Sequence, residues 1–241
     1  MRTRHLLSSL LFVAVLAAGV LAAVAVIRSG PFTSAGDQDS GPAPTPTVGL
    51  PAAGDLAAAL AALPAAGRLD AAIAAAKAGD PAGLLADAAF RPVECLPDGV
   101  RQDLHLRCSA LGVAPGTQVP VIIEREGREV PRTRDQAAAI LASLFRGANP
   151  RPELLAADRA GQVLLSIATD PVPYPESGTT VNGVLLFLTA EGRVAAFSTV
   201  TPDHTVLDRI RDDAAAGWEV RWASPELEAR EREKHARQSE S

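Results

Sequence analysis

The chain has 241 residues, of which 21% are charged and 4% aromatic, and a net charge of −5. Once an apolar leader and a spacer are set aside, that length leaves about one domain, and its core must be aliphatic. The acidic balance excludes the broad basic footprint of a nucleic-acid binder and gives no general attraction to anionic lipid. Among the 23 basic residues only Lys77 and Lys234 are lysines. With the heavy alanine content, this usage fits a GC-rich bacterial genome and carries no chemistry of its own.

Residues 6–27, LLSSLLFVAVLAAGVLAAVAVI, hold no charge. At about 1.5 Å per residue, a helix over this run crosses the roughly 30 Å hydrocarbon core of a bilayer. Arg2 and Arg4 place residues 1–5 on the cytoplasmic side and the rest of the chain outside. The run is longer than the apolar region of a cleaved signal, about 7–15 residues. We therefore expect a retained single-pass anchor in the cell membrane; secretion after cleavage is the alternative. Residues 28–54 are dense in Gly, Pro, Ser and Thr. The piece PAPTP favours polyproline II, so this segment reads as a semi-rigid spacer.

Residues 55–224 read as one α+β domain. Residues 55–63 form a short helix stopped by Pro64. A helix over 67–79 presents Leu69, Ile73 and Ala76 on one face. Asp80-Pro81 supplies an N-cap and an N1 proline for a second helix over 81–90. Residues 103–111 alternate, with Leu104, Leu106, Cys108 and Ala110 opposite His105, Arg107 and Ser109, which predicts a half-buried strand. A strand over 119–124 follows, then a turn and a short return. Thr133 to Gln136 is a capping box that opens a helix over 134–146, ended by Gly147. Strands are expected at 153–157, 163–169 and 181–188, the last turning at 190–192 into 193–200. A helix over 203–216 and a strand carrying Trp218, Val220 and Trp222 complete the domain. Residues 225–241 have mixed charge and almost no apolar face, so they read as a solvated tail, disordered or a frayed helix.

Two cysteines, Cys95 and Cys108, lie beyond the membrane-targeting run, and such an isolated pair reads first as a disulfide. No cysteine sits in or just after the run, which excludes a diacylglyceryl anchor. Cys95, His105 and Cys108 make only three donors where zinc wants about four, so no metal is expected. Phosphate-loop, dinucleotide and serine-hydrolase motifs are absent, and no cofactor is implied. Arg125, Arg128, Arg132 and Arg134 interleave with Glu124, Glu126 and Glu129, the pattern of a charged hairpin surface.

The order of elements, with AAKAGDPAGLLADAAF near the start and NGVLLFLTAEGRVAAF near the end, resembles the NTF2-like superfamily. The resemblance implies a cone of helices packed on a curved, mostly antiparallel sheet. With the anchor, the architecture is similar to VirB8-like components of type IV secretion and to Mce-associated proteins of actinobacteria. It implies an extracytoplasmic, non-catalytic domain that binds a protein partner or a small apolar ligand in the bacterial envelope. Catalytic relatives use an Asp, His or Tyr deep in the cone, so a pocket enzyme of the isomerase or hydrolase type is one alternative. A cell-wall glycan-binding module is another. The residues open to a pocket or partner are His105, Tyr174 in its proline-rich loop, Trp218 and Trp222. Tyr174 reads as a surface ring, and a glycan module requires the two tryptophans side by side.

Overall fold

The computed structural model describes residues 54–99, 106–125, 128–202, 206–212 and 217–239. The expected anchor over 6–27, most of the spacer and His105 lie outside the described residues. Among the described residues, no helix is long and apolar enough to cross a membrane.

Three short helices open the domain. Asp55 caps α1 (Leu56–Ala61) by accepting from the Ala57 N–H. In α2 (Ala66–Lys77), Leu69, Ala72, Ile73 and Ala76 are buried at helical spacing. Asp80 caps α3 (Pro81–Leu84) through the Gly83 N–H. This last helix is a single turn, shorter than its sequence predicts, because the chain straightens into β1 (Arg91–Glu94).

The expected strand over 103–111 is corrected. Its described end is a helical turn, α4 (Cys108–Leu111), stopped by Gly112 at φ 65°. Strand pairing there shrinks to one bridge, Leu96 with Arg107. The Cys108 N–H bonds to the Leu96 carbonyl, and the Ser109 hydroxyl donates to Asp98. A short alternating run cannot by itself choose between strand and helix. Here the left-handed glycine closes the turn.

The remaining elements are β2 (Gln118–Arg125), β3 (Glu129–Thr133), α5 (Arg134–Phe145), β4 (Arg151–Ala157), β5 (Val163–Pro173), β6 (Thr180–Leu188), β7 (Val194–Val200), α6 (Val206–Asp212), β8 (Glu219–Ala223) and α7 (Pro225–Ser239). The capping box that opens α5 is present in both directions, Thr133 to Gln136 and back. The strands form one curved, mixed sheet in the order β1-β2-β7-β6-β5-β4-β8, with β3 paired to β2. All pairings are antiparallel except that of β2 with β7.

Both faces of this sheet are covered. On the first, Ile122, Leu155, Leu165, Ile167, Val184, Leu186 and Phe197 pack against α2 and α5 side chains such as Leu69, Ile73, Leu141 and Phe145. On the second, Leu154, Leu164 and Leu185 pack against Val206, Leu207 and Ile210 of α6 and Leu227 of α7. Cys95, Cys108, Val121 and Ile123 fill a corner. Each fully buried aliphatic side chain contributes roughly 1.5–3 kcal/mol, so an aliphatic core suffices where aromatics are scarce. The β6–β7 turn closes on Gly192 at φ 77°, where a Cβ would stand 2.7 Å from that of Ala65 in the first helix layer.

The charged tail differs from its sequence expectation. It is a helix docked on the second face, with Leu227 buried and Lys234 forking both oxygens of Asp208 at 2.9 and 2.8 Å. Arg230 reaches the buried carboxylate of Glu153. Burial lowers the Arg230 pKa, and the nearby charge of Arg151 lowers it further. One apolar residue per two turns is too sparse for a periodicity reading, yet ion pairs anchor the rest.

Candidate functional site

The site is built from the hairpin β2–β3 and the loop after β5. In β2 the side chains alternate: Val121 and Ile123 face the disulfide corner, while Ile122 faces the helices. Strand parity puts Glu124 on the Ile122 side, and it is wholly buried. In β3, Arg132 lies opposite Ile122 and Val130 opposite Glu124. Arg132 is therefore the diagonal neighbour of Glu124 on one face, within reach of a long side chain.

The Arg132 Nε donates to Glu124 Oε2 at 2.6 Å. Its two terminal nitrogens donate to Oε1 and Oε2 of Glu176, each at 2.6 Å, a bidentate fork. The Tyr174 hydroxyl donates to Glu124 Oε1. Both oxygens of the buried carboxylate are thus engaged, as a buried charge requires. Burial on its own would lower the Arg132 pKa. The hydrogen bonds to Glu176 and Glu124, and then their charges, override it and raise the guanidinium above its ordinary value.

The two carboxylates on this guanidinium are not equivalent. The Glu124 side chain is 0% exposed and that of Glu176 is 52% exposed. A half-exposed ion pair contributes only ~0–1 kcal/mol after solvent screening. Glu124 is the buried partner and Glu176 the half-exposed one. Chemically, the cluster presents a permanent cation with a planar fork suited to carboxylates. Each oxygen of Glu124 already accepts a hydrogen bond, Oε1 from Tyr174 and Oε2 from Arg132.

Tyr174 is corrected from a surface ring to a buried anchor, 2% exposed within the first-face core. Trp222 is also buried, and its Nε1 donates to the Gly54 carbonyl at 2.8 Å. Trp218 packs partly buried against the second-face cluster. The tryptophans do not sit side by side, because β8 bulges. Leu155 pairs with Trp222 but Ala156 pairs with Val220, so Arg221 is the extra residue and the face switches there. Cys95 and Cys108 form a disulfide. Among the described residues, no group of three or more His, Cys, Asp or Glu side chains is placed to hold a metal ion.

The sequence reading missed Glu124, Arg132 and Glu176, assigning the first two to a charged surface. The signal that finds them is the hairpin register, which sets residues 124 and 132 diagonally on the face of Ile122. Among the described residues, concavities lie elsewhere. One of about 450 Å³ is lined by Lys77, Pro81, Phe145, Arg146 and Asn149. One of about 280 Å³ is lined by Arg68, Leu84, Asp87, Gly192 and Arg193. Neither includes Glu124, Arg132 or Tyr174.

No family model matches the chain, and no curated protein matches it. Among solved structures, the chain is similar to the orange carotenoid protein of Anabaena (Nostoc) sp. PCC 7120 binding canthaxanthin, with a TM-score of 0.30 and 11% identity. The similarity covers 56% of this chain and 37% of that one.

Proposed function

We propose that the chain is a non-catalytic domain of the bacterial envelope, NTF2-like in fold, held at the membrane by residues 6–27, and that it binds a protein partner. The observation that carries this reading is the state of the one carboxylate buried at the β2–β3 hairpin. Glu124 spends both oxygens on Tyr174 and Arg132, so it is a structural cross-link and not a poised acid or base. The buried apolar side chains between sheet and helices pack on one another, which supports a domain that acts through its surface. The disulfide supports a domain that matures outside the cytoplasm. The anchor and the α+β order support the rest.

Crosslinking in intact cells, followed by identification of what is bound, tests the proposal. Recovery of an envelope or membrane protein is expected. Repeated recovery of cytoplasmic proteins alone would overturn it. A topology reporter fused after Ser241 should be active only outside the cytoplasm.

A further inference from the structure

We infer that the cleft between the C-terminal ends of α2 and α5 binds a small phosphate monoester, held by Lys77, Arg146 and Asn149. The cleft measures about 450 Å³, within the range of small-molecule sites. It lies apart from the β2–β3 cluster, and the inference does not rest on the partner-binding reading above.

The first observation is positive charge without a counter-charge. Among the described residues, neither the Lys77 ammonium nor the Arg146 guanidinium forms an ion pair or a hydrogen bond, and no Asp or Glu lines the cleft. Cations elsewhere in this fold are engaged by carboxylates: Arg68 by Asp87, Arg151 by Asp170 and Lys234 by Asp208. The carboxylate nearest Lys77 in sequence, Asp80, is turned to the Gly83 N–H as the cap of α3. Nor does Lys77 serve to close its own helix. The Gly79 and Asp80 N–H groups return to the Ala76 and Ala75 carbonyls, a Schellman closure made by backbone alone. A lone exposed cation is ordinarily just solvated. Two that line one concavity, in a chain of net charge −5, make a local positive field that concentrates anions.

The second observation is the donor set. Lys77 brings a compact charge, and Arg146 a planar fork. Asn149 brings a side-chain amide that bonds to no described residue. It stands at φ 48°, a left-handed conformation that asparagine tolerates better than most residues. Three donor side chains match the three terminal oxygens of a phosphate monoester. Two positive charges match its charge of about −1.5 to −2 at neutral pH. Pro81 and Pro150 add apolar wall, so an ester with a small apolar body fits better than the bare anion.

The test exploits lysine scarcity. Lys77 and Lys234 are the only lysines, so lysine labelling for NMR gives one reporter in the cleft and one control in the α7 ion pair. The full chain in nonionic detergent micelles is titrated with phenyl phosphate, inorganic phosphate and benzenesulfonate. Phenyl phosphate is expected to shift the Lys77 signal and leave that of Lys234 in place. It should bind about tenfold more tightly than benzenesulfonate, which has a similar shape and carries less charge. Inorganic phosphate should bind more weakly than the ester. Arg146→Gln should weaken phenyl phosphate about tenfold with the urea midpoint unchanged, since the guanidinium holds no partner in the free protein. Should that variant not fold, the two lysine signals of the parent chain decide alone. No Lys77 shift at about 10 mM phenyl phosphate, enough to load a millimolar site, overturns the inference. Equal shifts of both lysines, or an affinity unchanged by Arg146→Gln, also overturn it. Benzenesulfonate or inorganic phosphate binding as tightly as phenyl phosphate would overturn the monoester as ligand. The in-cell crosslinking result is independent of these outcomes, so the two proposals fail separately.

Discussion

The Tyr174 hydroxyl donates a hydrogen bond to Glu124 across a separation of 50 residues, joining the loop after β5 to β2, near the other end of the sheet path. Removing that hydroxyl leaves Glu124 Oε1 buried without its donor. The cost of such an orphaned group is about 1–3 kcal/mol, more when it is charged. Tyr174→Phe should therefore lower the unfolding free energy by about that amount, read as a lower urea midpoint with the denaturant slope unchanged. An unchanged midpoint would show that water replaces the donor.

The Glu124–Arg132 pair makes a sharper prediction, because breaking a buried pair costs more than deleting it. Arg132→Met strands the buried Glu124 carboxylate, at about 3–5 kcal/mol, whereas Glu124→Leu leaves Arg132 its fork to Glu176 and should cost less. The double variant should lose less than the sum of the singles, with a coupling of about 0.5–3 kcal/mol. A double-mutant cycle in urea measures it. Strict additivity would mean that the two side chains do not support each other.

The disulfide spans 13 residues. In the chain-entropy model, closing a loop of that size stabilises by about 3 kcal/mol. Cys95→Ser with Cys108→Ser should cost about that much in equilibrium unfolding. Amide exchange should rise most around Val121 and Ile123, which pack on the bridge. Protection lost equally across the second-face cluster would contradict a local role.

The docked tail is tested by Leu227→Ala. This side chain is 0% exposed, and truncating a buried leucine costs about 2–5 kcal/mol. Because α7 otherwise docks through ion pairs such as Lys234–Asp208, the variant's helix should also become salt-sensitive. Limited proteolysis at low and high salt reads this out: cleavage within residues 225–239 should speed up at high salt in Leu227→Ala but not in the parent chain.

Local chemistry was the legible part of this fold. Asp80 and the Thr133–Gln136 box mark helix starts by short-range hydrogen bonding, and each cap is formed. The disulfide was read from an isolated cysteine pair behind an expected membrane-targeting run. What failed was parity, which a single inserted residue reverses. The bulge at Arg221 sends Trp218 and Trp222 to opposite faces, although their spacing in sequence puts them on one. Cys108 sat on a run too short to separate strand from helical turn. The candidate site was hidden for a related reason. Glu124 follows a β-branched run and precedes Arg125, so composition classed it with a solvated hairpin, whereas its neighbour across the hairpin decides its environment. Tyr174 lay in a loop dense in prolines, and no local signal shows that its ring turns inward.

The hydrogen bond from Trp222 to the Gly54 carbonyl fixes where the domain takes up mechanical load. If residues 6–27 are held in a bilayer, any tension on the domain travels along the spacer and arrives at Gly54. There it is passed to β8, the strand at one end of the sheet path. That clasp is a single hydrogen bond; once it opens, the load passes along the chain to Asp55 and α1, the first element after the spacer.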